Sequence, residues 1–294
     1  MKISKHNKNV STKSRPFRKD DMMFTQSVTL NNGVKMPILG FGTFKVDQEQ
    51  DTSDAVKHAL KIGYRHIDTA MIYKNEEAVG QAIIDSGVPR EEIFLTSKVW
   101  NTDQGYESTL RAFEKTLKDL QTDYLDLYLI HWPQPLNRET WSALEKLYKE
   151  GRIRAIGVSN FKEHHLDDLL EVATIVPAVN QVEYHPQLMQ EPLTAYCKKH
   201  GIQLEAWGPL MRGKIFEFEL MNTLAKKYNK TAAQIVLRWD IQNGIVTIPK
   251  SVKPSRIEGN ADIFDFTLTD EDMALINQLN KEERIGRDPD EPWD

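Results

Sequence analysis

From Leu39 onward, short apolar or β-branched runs alternate with longer stretches in which apolar residues recur at helical spacing. The runs are Leu39–Phe44, His66–Ala70, Ile93–Val99, Leu125–Trp132, Ile153–Ser159, Val179–Tyr184, Gln203–Trp207 and Ile245–Pro249. Several, such as Leu127-Tyr128-Leu129-Ile130, are apolar at consecutive positions. That pattern predicts parallel strands buried on both faces, because a half-solvated antiparallel strand would alternate. Between the runs, Ser108–Leu120 sets Leu110, Phe113, Leu117 and Leu120 on one helical stripe, and Glu139–Lys149 is amphipathic in the same way. Many helical stretches close on a glycine (Gly63, Gly87, Gly151, Gly201, Gly244), the residue that most readily takes the left-handed C′ conformation.

Eight strand–helix cycles predict an α/β fold closed as a (β/α)8 TIM barrel. Ahead of the first cycle, Asn32-Gly33 is flanked by alternating Val28, Leu30, Val34 and Met36. This predicts an N-terminal β-hairpin with a two-residue type I′ turn, capping the barrel's bottom. No low-complexity linker or composition shift divides the body, so residues 23–294 are expected to form a single barrel domain. The length of 294 residues suits that fold, which typically takes ~250.

With 40% hydrophobic and 28% charged residues the chain has an ordinary globular composition, and no apolar run approaches the ~18 residues that span a bilayer. No membrane role is expected. The single cysteine, Cys197, rules out an internal disulfide and a Cys-rich zinc site, which suits a reducing, cytoplasmic setting. The net charge of −5 conceals an asymmetry: residues 1–21 carry seven Lys/Arg against Asp20 and Asp21, leaving −10 on the rest. Such a body repels nucleic acid. Residues 1–22 read as a disordered basic tail; a transit peptide is the competing reading, but Lys and Asn outnumber Arg in it.

Active sites of such barrels gather at the C-terminal ends of the strands. There Asp68 ends the second run, Tyr73 follows in its loop, Lys98 ends the third and His131 closes the fourth. Each alone has an ordinary structural reading as a cap, a snorkelling cation or a core hydrogen-bonder. Four at consecutive strand ends point instead to a site. Tyrosine, with an unperturbed pKa near ~10, is a poor acid at neutral pH, and a Lys98 ammonium beside it is expected to lower that value. Asp68 would be the counter-ion of the buried lysine, and a neutral His131 can donate toward a carbonyl oxygen. The set provides an acid without a nucleophile, so the complementary group should come from a cofactor, and hydride fits. A metal-dependent hydrolase is disfavoured because His164 and His165, adjacent on a helix, should point in different directions; no metal is expected.

These residues occur in Gly63-Tyr-Arg-His-Ile-Asp-Thr-Ala with Tyr73 and Asn75-Glu76, then Thr96-Ser-Lys-Val-Trp, Leu129-Ile-His-Trp-Pro, Gly157-Val-Ser-Asn-Phe and Ile248-Pro-Lys-Ser, in that order. By these motifs the chain resembles the aldo-keto reductase family, in particular its small bacterial type of diketogluconate and glyoxal or methylglyoxal reductases, over roughly residues 25–290. The resemblance implies that Asp68, Tyr73, Lys98 and His131 form a catalytic tetrad for NADPH-dependent reduction of small carbonyl compounds. It also implies that Ser159, Asn160 and Gln181 hold the nicotinamide carboxamide, that Trp207 stacks on its ring, and that Gly42, Thr43, Gly208, Leu210 and Asn260 contact the cofactor. Phe44, Trp100 and Trp132 would be pocket walls.

Independently, Lys250 and Ser251 follow the eighth strand and Arg256 lies in the next helical turn, where barrels bind phosphate, so NADPH is favoured over NADH. Gly259 departs from the family's usual Glu near the adenine. The short loop Pro133-Gln-Pro-Leu-Asn-Arg implies an open pocket, and the acidic end, Asp288 to Asp294, is a candidate to cross the mouth with Trp293. A noncatalytic NADPH-binding regulatory subunit on the same fold is the alternative reading. No coiled-coil pattern is present, so a monomer is expected.

Overall fold

A computed structural model describes residues 26–45 and 49–293; the basic segment 1–22 and the expected start of the barrel domain near Met23 lie outside the described residues. Strands β1 (Ser27–Thr29) and β2 (Lys35–Pro37) pair antiparallel, with Val28 opposite Met36. Their turn differs from the expected type I′. Gly33 has φ +87°, but Asn32 is not left-handed, and Gly33 N donates to Leu30 O while Leu30 N donates to Val34 O. Asn31, Asn32 and Gly33 thus form a three-residue connection ending in a left-handed glycine. Asn31 Nδ2 donates to Pro177 O and Asn32 Nδ2 to Arg154 O, so the hairpin sits at the strands' N-terminal ends.

Eight parallel strands follow: β3 (Phe41–Gly42), β4 (His66–Asp68), β5 (Phe94–Val99), β6 (Leu125–Ile130), β7 (Ile153–Ser159), β8 (Val179–Glu183), β9 (Gln203–Trp207) and β10 (Val246–Thr247), each paired with its sequence neighbour. Gly40 N donates to Thr247 O and Thr247 N to Ile38 O, which joins the last strand to the first and closes the sheet. All eight predicted runs carry a strand. Several strands stop before their apolar runs do: β4 at Asp68, β6 at Ile130, β10 at Thr247. The next residue of each still bonds to the neighbouring strand (Thr69 N to Thr96 O, His131 N to Val99 O, Ile248 N to Ala206 O), at the end where the polar side chains collect.

Helices α1 (Glu49–Ile62), α2 (Glu76–Ser86), α3 (Tyr106–Leu120), α4 (Asn137–Lys149), α5 (Glu163–Leu170), α6 (Glu191–His200), α7 (Glu219–Tyr228), α8 (Ala232–Gln242), α9 (Pro254–Ala261) and α10 (Asp270–Asn277) cover the barrel. Helix α3 buries Phe113, Leu117 and Leu120 from its predicted stripe, while Leu110 packs at its margin. Gly87 caps α2 with φ +68°, donating its N–H to Ile84 O. Every residue of β5 and β6 is buried, as the consecutive apolar residues Leu127–Ile130 predicted for β6; β5 buries Thr96, Ser97 and Lys98 as well. Each fully buried Leu or Ile there contributes about 1.5–3 kcal/mol. That packed wall holds the strand ends, and so the site, in fixed register.

Candidate active site

The structure brings Asp68, Tyr73, Lys98 and His131 together. Asp68 ends β4, a short helical turn (Met71–Tyr73) presents Tyr73, Lys98 is the penultimate residue of β5, and His131 follows β6. Lys98 Nζ donates to Asp68 Oδ1 at 2.7 Å and Thr69 O at 2.9 Å, and lies 3.5 Å from the Tyr73 hydroxyl. The Tyr73 and His131 rings meet edge-on with centroids 5.8 Å apart.

Burial is the largest influence on Lys98 and opposes its charge, but Asp68 and then Tyr73 outweigh it and the ammonium is held above its usual range. Burial, reinforced by Lys98, drives His131 well below the ordinary histidine value, so its ring is neutral. For Tyr73 the expectation is corrected. Lys98 does pull the phenol down, but burial outweighs it and the pKa stands above its ordinary value. Tyr73 is therefore a phenol at neutral pH, with a cation beside its oxygen.

The expected cofactor residues line the adjoining strand ends. Asn160 leaves β7 in a left-handed turn (φ +63°), its Nδ2 donating to His131 O and Ser159 Oγ. Its Oδ1 accepts from Trp207 Nε1 at 2.7 Å. The far edge of that indole is fixed by Gly286, where a Cβ would lie 2.4 Å from the ring. Trp207 is thus a braced aromatic plate. Gln181 Nε2 donates to both Asp68 Oδ2 and Glu205 Oε2 at 2.8 Å, and among the described residues no donor meets its Oε1. An amide oxygen left over in this way, beside a braced ring, fits a nicotinamide carboxamide. Ser159 Oγ is engaged by Gln181 O, and Thr43 Oγ1 by Asp68 O. Gly42 lies against Ile248 O, while Gly208 and Leu210 border the loop after β9. Exposed Lys250 and Arg256 and buried Ser251 and Asn260 lie between β10 and the end of α9. At Gly259 a Cβ would meet no atom within 4 Å, so the missing side chain leaves open space.

Aromatic side chains wall the tetrad. Phe44 packs 5.0 Å from Tyr73 and Trp100 5.1 Å from His131, as ring centroids. The open pocket inferred from the short loop is corrected by the C-terminal segment: Trp293 seats against Trp100 and Trp132, each at 5.2 Å. Arg287 lies over the Trp293 ring at 4.6 Å. Upstream, Glu183 accepts from Ile285 N and Gly286 N.

His164 and His165 do not diverge as expected. Their rings lie 4.0 Å apart, and both Nε2 atoms approach Asp290 Oδ1, at 2.9 and 3.3 Å. The cause is the start of α5, where His165 Nδ1 accepts from Lys162 N and turns the ring back toward the tail. That bond leaves the proton of neutral His165 on Nε2, so the His165 nitrogen that faces Asp290 is a donor and not a metal ligand. With Lys162 bridging Asp288 and Asp290, both at 2.6 Å, the group clasps the C-terminal segment.

Sequence reasoning missed Glu205 and His66, both buried inside the barrel. Glu205 in Gln203-Leu-Glu-Ala-Trp is a charged residue in the middle of a buried strand, a signal as strong as Lys98 but away from the strand end.

The profile of the aldo/keto reductase family matches residues 38–281. A Bacillus subtilis protein, glyoxal reductase, is 62% identical over 266 residues, covering 90% of this chain and 96% of its own. A solved aldo-keto reductase from a Medee basin deep-sea metagenome library superimposes with TM-score 0.89 at 54% identity, covering 90% of this chain and 99% of that one. A variant of Gox0644 in complex with NADPH gives TM-score 0.87 at 44% identity, covering 91% and 98%.

Proposed function

Because the chain belongs to the aldo/keto reductase family, we propose that it reduces small aldehydes and ketones, glyoxal and methylglyoxal among them, with NADPH. The observation that carries this reading is the Lys98 ammonium, held by Asp68 on one side and set 3.5 Å from the Tyr73 hydroxyl on the other.

NADPH supplies the hydride. Tyr73 provides the proton that the carbonyl oxygen needs as it becomes a hydroxyl. Lys98 stabilises the phenolate that remains, which makes a weak acid an effective donor at neutral pH. Neutral His131 orients the carbonyl oxygen by a ring N–H, and a charged imidazolium is excluded by its burial beside Lys98. Gln181 Oε1, Ser159 and Asn160 would receive the carboxamide, with Trp207 as the stacking plate. Lys250, Ser251 and Arg256 would hold the 2′-phosphate, with Gly42, Thr43, Gly208, Leu210 and Asn260 completing the cofactor contacts. Phe44, Trp100 and Trp132 bound a small apolar pocket, which favours short carbonyl compounds.

The test is NADPH consumption, followed by absorbance, with methylglyoxal, glyoxal and a panel of simple aldehydes, with NADH run alongside. Turnover preferring NADPH is expected. Tight NADPH binding without turnover of any carbonyl would overturn the reading in favour of a noncatalytic binding subunit.

A further inference from the structure

Inside the barrel, below the tetrad, lies a second acid that the reaction described above does not use. Glu205 is fully buried on β9, and its neighbours are few. From β4 it faces His66, whose Nε2 is 3.5 Å from Glu205 Oε1 without meeting hydrogen-bond geometry, and Asp68 beyond it. Among the described residues, Lys98 of β5 and the Tyr73 hydroxyl are its other charged or titratable neighbours, while β10 offers the apolar Val246 in register. From β8 comes Gln181, whose Nε2 donates to Glu205 Oε2 and Asp68 Oδ2, both at 2.8 Å.

Two consequences follow. The enclosure holds two carboxyl groups and one ammonium, and Lys98 bonds directly to Asp68 and not to Glu205. An ionised Glu205 would accept a single hydrogen bond for a whole buried charge, with Oε1 unpaired. The carboxyl that keeps a proton is therefore Glu205. Its pKa agrees: burial, then Asp68, raises it to about 8. His66, lowered by burial to about 4, does not take that proton. Second, the two carboxyl groups use both hydrogens of the Gln181 amide. This fixes the flip of that amide and leaves Oε1 as its one atom free for a ligand.

The geometry points to Glu205 as a positioning residue of the reductase: with Asp68 it locks the Gln181 amide, and its own charge state sets that of the Asp68–Lys98–Tyr73 chain. When Glu205 ionises, the added negative charge holds the protons on Lys98 and Tyr73 more tightly. The acid form of Tyr73 then persists to higher pH than it would with a neutral residue at this position.

This inference rests on the reductase reading, so its test includes measurements that need no turnover. Difference infrared spectra of the full chain should show a protonated buried carboxyl at about pH 6 that titrates away near 8 and is missing from Glu205→Gln. NADPH affinity, read from protein fluorescence, should fall roughly tenfold in Glu205→Ala, which removes the acceptor, and be restored by Glu205→Gln, which keeps it. In turnover, the alkaline limb of kcat should move to lower pH in Glu205→Gln, by about half a unit or more. A merely structural role would lower the melting temperature without moving that limb. Infrared spectra of the wild type and Glu205→Gln that coincide at every pH would overturn the proposal. So would an unmoved alkaline limb, or NADPH binding by Glu205→Ala as tight as in the wild type. If the wild type reduces no carbonyl, the reductase reading fails, and the infrared and affinity measurements still decide the role of Glu205.

Discussion

Lys98 Nζ lies 2.7 Å from Asp68 Oδ1, and both side chains are sealed from solvent. Breaking such a pair from one side leaves an uncompensated charge in the interior, a change that typically costs about 3–5 kcal/mol. Lys98→Met should therefore destabilise the fold strongly in urea titration. Adding Asp68→Asn should return part of that loss, because it removes the stranded charge. A double variant less stable than Lys98→Met would show that Asp68 is ionised for some partner other than Lys98.

Tyr73 differs from phenylalanine only by the hydroxyl that faces Lys98. Tyr73→Phe should leave NADPH affinity nearly unchanged and lower kcat by roughly a thousandfold or more, the scale of a lost general acid together with its electrostatic support. Near-normal turnover in steady-state assays would assign the proton to another donor. Since burial holds the Tyr73 pKa above its ordinary value, the wild-type reduction rate should not decline from phenol ionisation until well into alkaline pH.

The barrel was legible in the sequence because buried parallel strands such as β6 need apolar residues on both faces, and that requirement leaves a consecutive run such as Leu127–Ile130. The grouping of Asp68, Tyr73, Lys98 and His131 was legible because polar residues at neighbouring strand ends of a barrel must converge there, although each alone has an ordinary structural reading. The hairpin turn was misread because Asn32-Gly33 suits two turn types, and the choice was made by anchoring: Asn31 and Asn32 bond to Pro177 and Arg154, residues far along the chain. The pKa of Tyr73 was misjudged in direction, since proximity of Lys98 can be inferred from spacing but the extent of burial cannot. The pairing of His164 and His165 with Asp290 depends on where the chain's end folds back over α5, and no local pattern encodes that.

With Trp100 and Trp132 proposed as pocket walls, the clasp on Asp290 and the seating of Trp293 against both rings would make the segment around Trp293 part of that wall. Trp293→Ala removes that wall. Small aldehydes should then bind roughly tenfold more weakly, on the scale of about 1–2 kcal/mol of lost apolar contact, whereas bulky aromatic aldehydes should gain. KM values across a size series provide the measurement, and a uniform change across the series would place Trp293 outside the pocket.

Arg256 lies on the first turns of α9, a helix whose N-cap residue, Lys253, supplies no side-chain cap bond. If this is where the 2′-phosphate sits, Arg256→Ala removes a charge-assisted hydrogen bond that NADH never makes. KM for NADPH should rise by roughly ten- to a hundredfold and that for NADH by little. Equal losses with both cofactors would move the phosphate elsewhere.

Glu205 also leaves a signature in stability. Its folded-state pKa, raised by burial and by Asp68 to about 8, exceeds the ordinary value of 4.5 for the unfolded chain. Between those values the folded protein holds a proton that the unfolded chain has released, so stability must fall as pH rises across that window. The contribution is whole below about 4.5 and gone above about 8. Glutamine has the same shape and does not titrate. The melting temperature of Glu205→Gln relative to wild type should thus increase steadily from about pH 5 to 8 and level off beyond it. A constant difference across that range would mean that Glu205 is ionised in the folded barrel and that no neighbouring group takes up a proton in its place.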